Sequence, residues 1–409
     1  MSEPTLLDQV FAQENRHDPY PLLAQLRKTP VARQPDGTYV VSGYEQIVTL
    51  LHDPRVSSDP SKRGLPGGDV QPAFINTDPP THDRLRREAT SFFGPPHKPD
   101  LVASLEPWMH ETVNGLIDGL AGKTRIDVVD DVAYPFPVSA ICRVLGVPRE
   151  DEPKFHDWSG ALILALGARF HPEGQEDVFQ KALKASQELA AYLTDLAEAH
   201  RKDPGDDLLS GLVTDEGPDR MADEDIPSTA RLLLIAGHET TVNLIANGML
   251  TFLRHPEQLE RVRSEPEYVI RVVEELLRFE PPVQMIPNRS ALEDIPLGEA
   301  TIPAGSGIIL ATAAGNRDAA RFSEPDVFNP ERQDGVEGQH LGLGGGVHYC
   351  FGAPWARLEV QIALQALARR LENPRLVQDP PEYRLSPILR GPIHQPIDID
   401  AVRPASPRG

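Results

Sequence analysis

Cysteine is nearly absent: the 409 residues hold only Cys142 and Cys350. Two cysteines exclude a disulfide framework and a zinc site built from paired Cys-x-x-Cys motifs. Excess positive charge is lacking too. Forty Lys and Arg face 61 Asp and Glu, for a net charge of −21. Wholesale binding to nucleic acid or to an anionic membrane is therefore excluded, though a local basic patch is not. No apolar run approaches the length of a membrane span. The opening residues, MSEPTLLDQVFAQ, show no basic region followed by an apolar core, so no signal peptide is expected and a cytoplasmic location fits. Internal repeats are absent. What remains is globular: 40% hydrophobic, 25% charged.

The periodicity is mostly helical. Helices are expected from Pro21 to Leu26 and over 44–52, from Thr81 through Arg87, and over 100–122, 130–146, 152–170, 176–201, 225–254 and 269–279. Short strands are expected at 31–34 and 38–42 around the turn Pro35-Asp36-Gly37, and within 283–313 with turns at Gly298 and Gly305. A long loop is read from Asp59 to Phe74, a charged loop over 202–224, a hinge at His171-Pro172-Glu173-Gly174, a last hairpin over Leu385–Ile393 and a disordered tail from Arg403. Cys142, among Ile141, Val144 and Leu145, reads as a small buried apolar residue.

Four stretches carry chemistry. Leu343 to Gly352 reads LGGGVHYCFG and feeds directly into an apolar helical stripe of Val360, Leu364, Leu367 and Leu371. Cys350 thus lies in a glycine-rich loop at a helix entrance, where the dipole favours a thiolate and glycines permit close approach of a flat ligand. A thiolate there suits an axial haem ligand; the plain alternative is a buried structural cysteine. His82 and Arg86, four apart, share one helical face and form either an anion site or a solvated basic face. Within the longest helix sits Ala236-Gly237-His238-Glu239-Thr240-Thr241. Here a small pair leaves space, an acid and an alcohol follow, and Thr240 can bond back to the Ala236 carbonyl. With Val242 at the next turn it is not a metalloprotease motif. Glu275 and Arg278 form an ExxR pair, which alone reads as an ordinary salt bridge.

Together, and in this order, these stretches resemble the cytochrome P450 superfamily. The signature F-x-x-G-x-H-x-C-x-G is matched at Gly346, His348, Cys350 and Gly352, with Leu343 in place of the usual phenylalanine. DPPxHxRLR, AGxET, ExxR and R-x-A fall at residues 78–86, 236–240, 275–278 and 289–291. The resemblance runs from about Asp18 to Ile399. It implies one mostly α-helical domain over 1–409 with small β-sheets, of triangular-prism shape. It implies haem b, with Cys350 on the iron and His82, Arg86, Arg289 and His348 partnering the propionates. Ala236, Gly237 and Gly344 would border the haem. Thr240 and Glu239 would deliver protons, and Glu275, Arg278 and Arg332 would form a structural network. Ile235, Val283, Met285, Ile286 and Ile388 would line an apolar pocket under a lid made by the helices of 152–201.

The activity implied is insertion of one oxygen atom from O2 into an apolar small molecule, such as a polyketide, terpenoid or steroid. A ferredoxin and ferredoxin reductase would supply electrons to a monomeric protein, docking near Arg84, Arg87 and Arg357. Two alternatives are an H2O2-driven peroxygenase of the same fold and a non-enzymatic haem-binding protein.

Overall fold

The computed structural model describes residues 4–63, 73–93, 101–168, 175–218, 220–334 and 339–405. The hinge at 171–174, most of the 59–74 loop and the last four residues of the chain lie outside them.

Short helices α1 (Leu6–Phe11) and α2 (Tyr20–Leu26) open the chain, followed by strands β1 (Val31–Arg33) and β2 (Tyr39–Val41), helix α3 (Tyr44–His52) and strand β3 (Val56–Ser57). Helices α4 (Thr81–Phe93) and α5 (Leu101–Asp118) come next, then β4 (Arg125–Asp127), α6 (Pro135–Leu145), α7 (Glu152–Ala168), α8 (Gln175–Lys202) and α9 (Leu208–Thr214). Helix α10 (Ile226–Arg254) is the longest and is buried along most of its length. A helix with so little polar surface has to be a central element, and α6, α8 and α14 pack against it. Helices α11 (Pro256–Ser264) and α12 (Tyr268–Phe279) precede β5 (Ile286–Ala291), β6 (Ile295–Leu297), β7 (Ala300–Ile302) and β8 (Gly307–Leu310). The one-turn α13 (Thr312–Gly315), α14 (Ala353–Arg370), β9 (Arg375–Leu376) and β10 (Pro396–Asp398) complete the chain.

The largest sheet runs β1-β2-β8-β5-β3, with β2 and β8 parallel and its other pairs antiparallel. Gly298 and Gly305 do adopt the positive φ of tight turns. The last hairpin forms as expected: Tyr383 bridges Pro392, and Leu389 bridges Val283.

Four expectations need correction. Residues 202–224 are not all loop, because Asp207 caps the seven-residue α9 by accepting from the Ser210 N–H at 2.8 Å. The helix read over 130–146 begins as a π-turn over Val129–Ala133. The ring nitrogens of Pro135 and Pro137 cannot donate, so regular α-helix starts only at Pro135. Thr81 is the first helical residue rather than the cap. The tail is ordered at Arg403, whose N–H donates to the Arg370 carbonyl at 2.7 Å and whose guanidinium pairs with Glu372 at 2.8 Å.

Candidate active site

The cysteine loop is clamped from outside. Cys350 N–H donates to the Leu343 carbonyl at 2.9 Å, closing the loop on itself. Gly346 has a φ of 62°, and a Cβ there would collide with the Leu51 carbonyl at the end of α3. A Cβ on Gly342 would collide with the Leu277 carbonyl of α12. These glycines therefore serve close approach to protein backbone. Gly344 differs: its φ is 71°, and its missing Cβ would meet only the His348 carbonyl, at 3.7 Å. Gly344 and Gly352 are the glycines of this loop with room beside them. Burial pushes the Cys350 thiol up, against the Gly352 N–H, Arg86 and Arg357, which pull it down. Desolvation thus works against the helix entrance that favours the anion. Coordination to a metal, which deprotonates a thiol outright, has to supply the anion.

Beside this loop basic groups crowd together. The rings of His82 (α4) and His348 lie 4.5 Å apart. Burial, followed by Arg289, His82 and Arg86, drives His348 down to about 3. Burial lowers Arg289 to about 10, opposed only by Asp78. Its guanidinium donates to the Asn288 carbonyl at 3.3 Å. Asp78 itself is committed to Lys62, Ser57 and the Ser58 N–H at 2.5–2.7 Å. His82 bonds Asp83 through Nδ1 at 2.8 Å, while its buried Nε2 has no partner. Arg86 donates to the Tyr349 carbonyl at 2.7 Å. Converging cationic groups with an orphaned buried nitrogen are what the paired carboxylates of a haem would satisfy. Sequence reasoning missed Ser58, whose hydroxyl shares a 2.8 Å hydrogen bond with His348 Nε2.

On α10, Thr240 donates to the Ala236 carbonyl at 2.9 Å, as expected, and the helix runs on unbroken. Ala236 is exposed and Thr240 half-buried, one turn apart. Gly237 opens elsewhere: a Cβ would come within 2.9 Å of Ile141, so this glycine permits the close crossing with α6. Glu239 is buried and surrounded. Ser159 on α7 donates to it at 3.0 Å, and His238 and Arg384 each stand 3.6 Å away. Burial alone raises its pKa, but His238, Arg384 and Ser159 outweigh that and hold it at about 2. Neither Ser159 nor Arg384 had a signal in the sequence. Nearby, Glu359 of α14 is fully buried against Thr241 and Trp355, and burial holds it well above the usual carboxylate range.

The ExxR pair is no surface bridge. Arg278 meets both oxygens of Glu275 at 2.7 and 2.8 Å, Arg332 meets Oε1 at 3.0 Å, and Glu275 and Arg278 are completely buried. The remaining donors of both arginines go to the carbonyls of Asn316, Pro325, Val327 and Ser323. No buried nitrogen or oxygen of these three side chains is left without a partner.

The cytochrome P450 family model matches residues 29–393. This chain belongs to the cytochrome P450 family. It is 36% identical to the cytochrome P450 monooxygenase PikC of Streptomyces venezuelae, over 95% of this chain and 93% of that one. It is 37% identical to the vitamin D(3) 25-hydroxylase of Pseudonocardia autotrophica, over 93% and 94%. Among solved structures, a ligand-free P450 of Mycobacterium smegmatis aligns with a TM-score of 0.86 at 38% identity, covering 96% of this chain and 99% of that one. The protein has the P450 fold and is a haem-thiolate monooxygenase using haem b.

When bound, the haem supplies the oxygen-activating and C–H-oxidising chemistry. The residues of this P450 that would hold it are Cys350 at the iron and His82, Arg86, Arg289 and His348 at the propionates. Glu239 and Thr240, near the exposed Ala236, could hold and pass protons there.

The pocket residues divide. Ile235 and Val283 pack with Ile388, and Ile163 and Leu389 join them unforeseen. Met285 does not: it is buried among Leu7, Val10, Val40 and Ile309. Ile286 packs against the cluster formed by the large sheet and α3. The strand starts only at Ile286, and Gln284 turns back to the Pro281 carbonyl at 2.6 Å, which swings Met285 away from the pocket. The supposed docking cations are partly neutralised. Arg84 pairs with Glu88 and Asp225 at 3.2 and 3.0 Å, and Arg357 with Glu274 at 2.5 Å. Arg87 is exposed. No helix among the described residues is long and apolar enough to cross a membrane.

Proposed function

We propose that this P450 hydroxylates or epoxidises a largely apolar, polycyclic or macrocyclic natural product of the polyketide, terpenoid or steroid kind. The observation that carries this is the neighbourhood of Glu239. Ser159 and Ile163 lie one turn apart on α7; the first bonds Glu239, and the second sits in the apolar cluster of Ile235, Val283, Ile388 and Leu389. Glu239 is thus flanked on this side by an apolar wall of Ile163, Ile235, Val283, Ile388 and Leu389, which suits an apolar ligand. Relatives named for oxidation of a secosteroid and of 6-deoxyerythronolide B support the class. With Glu239 and Thr240 both in place, a peroxide-driven reaction is not favoured.

The protein acts as a single-domain cytoplasmic monomer, receiving electrons from a ferredoxin and ferredoxin reductase. A ligand screen on the ferric protein tests the substrate class: macrolactones and secosteroids shift the Soret band, and small polar compounds leave it unmoved. A screen in which only polar compounds shift it would overturn the class. Ferrous protein with CO shows the long-wavelength Soret band of thiolate ligation, and Cys350→Ser abolishes it.

A further inference from the structure

His238 lies next to the acid and is not part of the machinery described so far. It is 1% exposed. Its Nδ1 stands 2.7 Å from the Leu234 carbonyl. A carbonyl only accepts, so Nδ1 carries a hydrogen in every protonation state. That leaves Nε2 as the titrating atom. It is buried, has no hydrogen-bond partner, and faces Glu239 Oε1 at 3.6 Å. We propose that His238 is a proton-relay residue that reloads Glu239 during turnover, an inference that rests on the monooxygenase reading.

None of the other groups facing Glu239 takes up and gives back charge near neutral pH. Arg384, from the last hairpin, is a permanent cation. Ser159, from α7, donates a hydrogen bond but carries no exchangeable charge near neutral pH. Tyr134, ahead of α6, is raised far out of range by burial and by Glu239 itself. Only an imidazole changes charge in the physiological range. The Tyr134 ring lies 6.3 Å from His238 and 4.6 Å from His156, and His156 is exposed.

The step is a plain proton transfer. The Nε2–H bond of the imidazolium breaks and an O–H bond forms at Glu239 Oε1. Cation and anion become two neutral groups, and nothing is oxidised. Water returns a proton to Nε2 afterwards. The 3.6 Å gap closes by a small carboxyl rotation or through one bridging water.

The test uses full-length, haem-loaded protein carrying His238→Asn or His238→Gln. The asparagine amide can still donate to Leu234 but relays no proton. Infrared pH titration, with the Glu239 band assigned by its loss in E239Q, reads the acid directly. The protonated carboxyl appears at higher pH in H238N than in the parent. Oxygen consumption driven by a [2Fe–2S] ferredoxin and its reductase falls at least about a hundredfold, the low end of general-acid contributions, and its solvent deuterium isotope effect rises. Variants with the parent's rate, isotope effect and Glu239 titration overturn the proposal. Should neither variant fold, the parent decides: its rate declines as pH is raised, and a rate that does not change with pH overturns the proposal. A parent whose ferrous–CO form lacks the thiolate Soret band fails the monooxygenase reading first, and the relay with it.

Discussion

Ser159 on α7 and Glu239 on α10 are joined by a 3.0 Å hydrogen bond between two buried side chains. It ties α7, which contributes Ile163 to the apolar cluster, to the acid of α10. The bond has a charged acceptor, and such bonds are worth about 1.5–3 kcal/mol net. Ser159→Ala should lose roughly that much stability at neutral pH in chemical denaturation. A loss under about 0.5 kcal/mol, the range of inconsequential substitutions, would show that the bond is not made in solution.

The same carboxylate gives a pH signature. Glu239 is held at about 2 in the fold, from an ordinary 4.5, so its contribution is present above pH 4.5 and is lost as pH falls towards 2. Across that window the parent's unfolding free energy should decline by up to roughly 1.4 kcal/mol per pH unit on this account alone. Glu239→Gln should show a shallower decline below pH 4.5 and a stability deficit at pH 7 that narrows on acidification. Parallel stability–pH curves for the two proteins would sink the claim.

The buried Glu275–Arg278–Arg332 network makes a different demand. Removing one member leaves uncompensated charge in the core, which costs about 3–5 kcal/mol. Glu275→Gln keeps the shape but not the charge that two arginines share, so a loss near the lower end is expected, with slower recovery of haem after refolding. Unfolding curves that superimpose on the parent's would show that the network adds nothing.

How much of this was legible beforehand depended on sequence distance. The bond from Thr240 to Ala236 lies within one helical turn, so the residues alone announced it. Ser159 and Glu239 are 80 positions apart, and nothing local to either marks the contact. Arg384 was hidden for the same reason. Met285 failed because a periodic reading assumes regular strand, and the backbone turns just before Ile286. The acidity of Cys350 was legible only in part, because a helix entrance is visible in sequence, whereas the desolvation that opposes it is a property of the packed loop. Gly346 was singled out but given the wrong neighbour, since it faces α3; Gly342, which faces α12, lies just outside the stretch that was read.

That last point makes Gly346 the sharpest test of how the loop is held. Its φ of 62° costs an ordinary residue about 1–2 kcal/mol. An added methyl would also run into the Leu51 carbonyl, which is backbone and cannot rotate aside. Overpacking of that sort adds about 1–3 kcal/mol. Gly346→Ala should therefore either displace the loop from α3, carrying His348 and Cys350 with it, or fold poorly. Both outcomes lower haem occupancy, seen as a reduced ratio of Soret to protein absorbance at equal protein. Gly344→Ala is the matched control: its φ of 71° imposes a similar backbone cost, but its Cβ meets nothing closer than 3.7 Å. If the two alanine variants lose haem and stability equally, backbone conformation alone accounts for both, and the contact with α3 does not hold the cysteine loop in place.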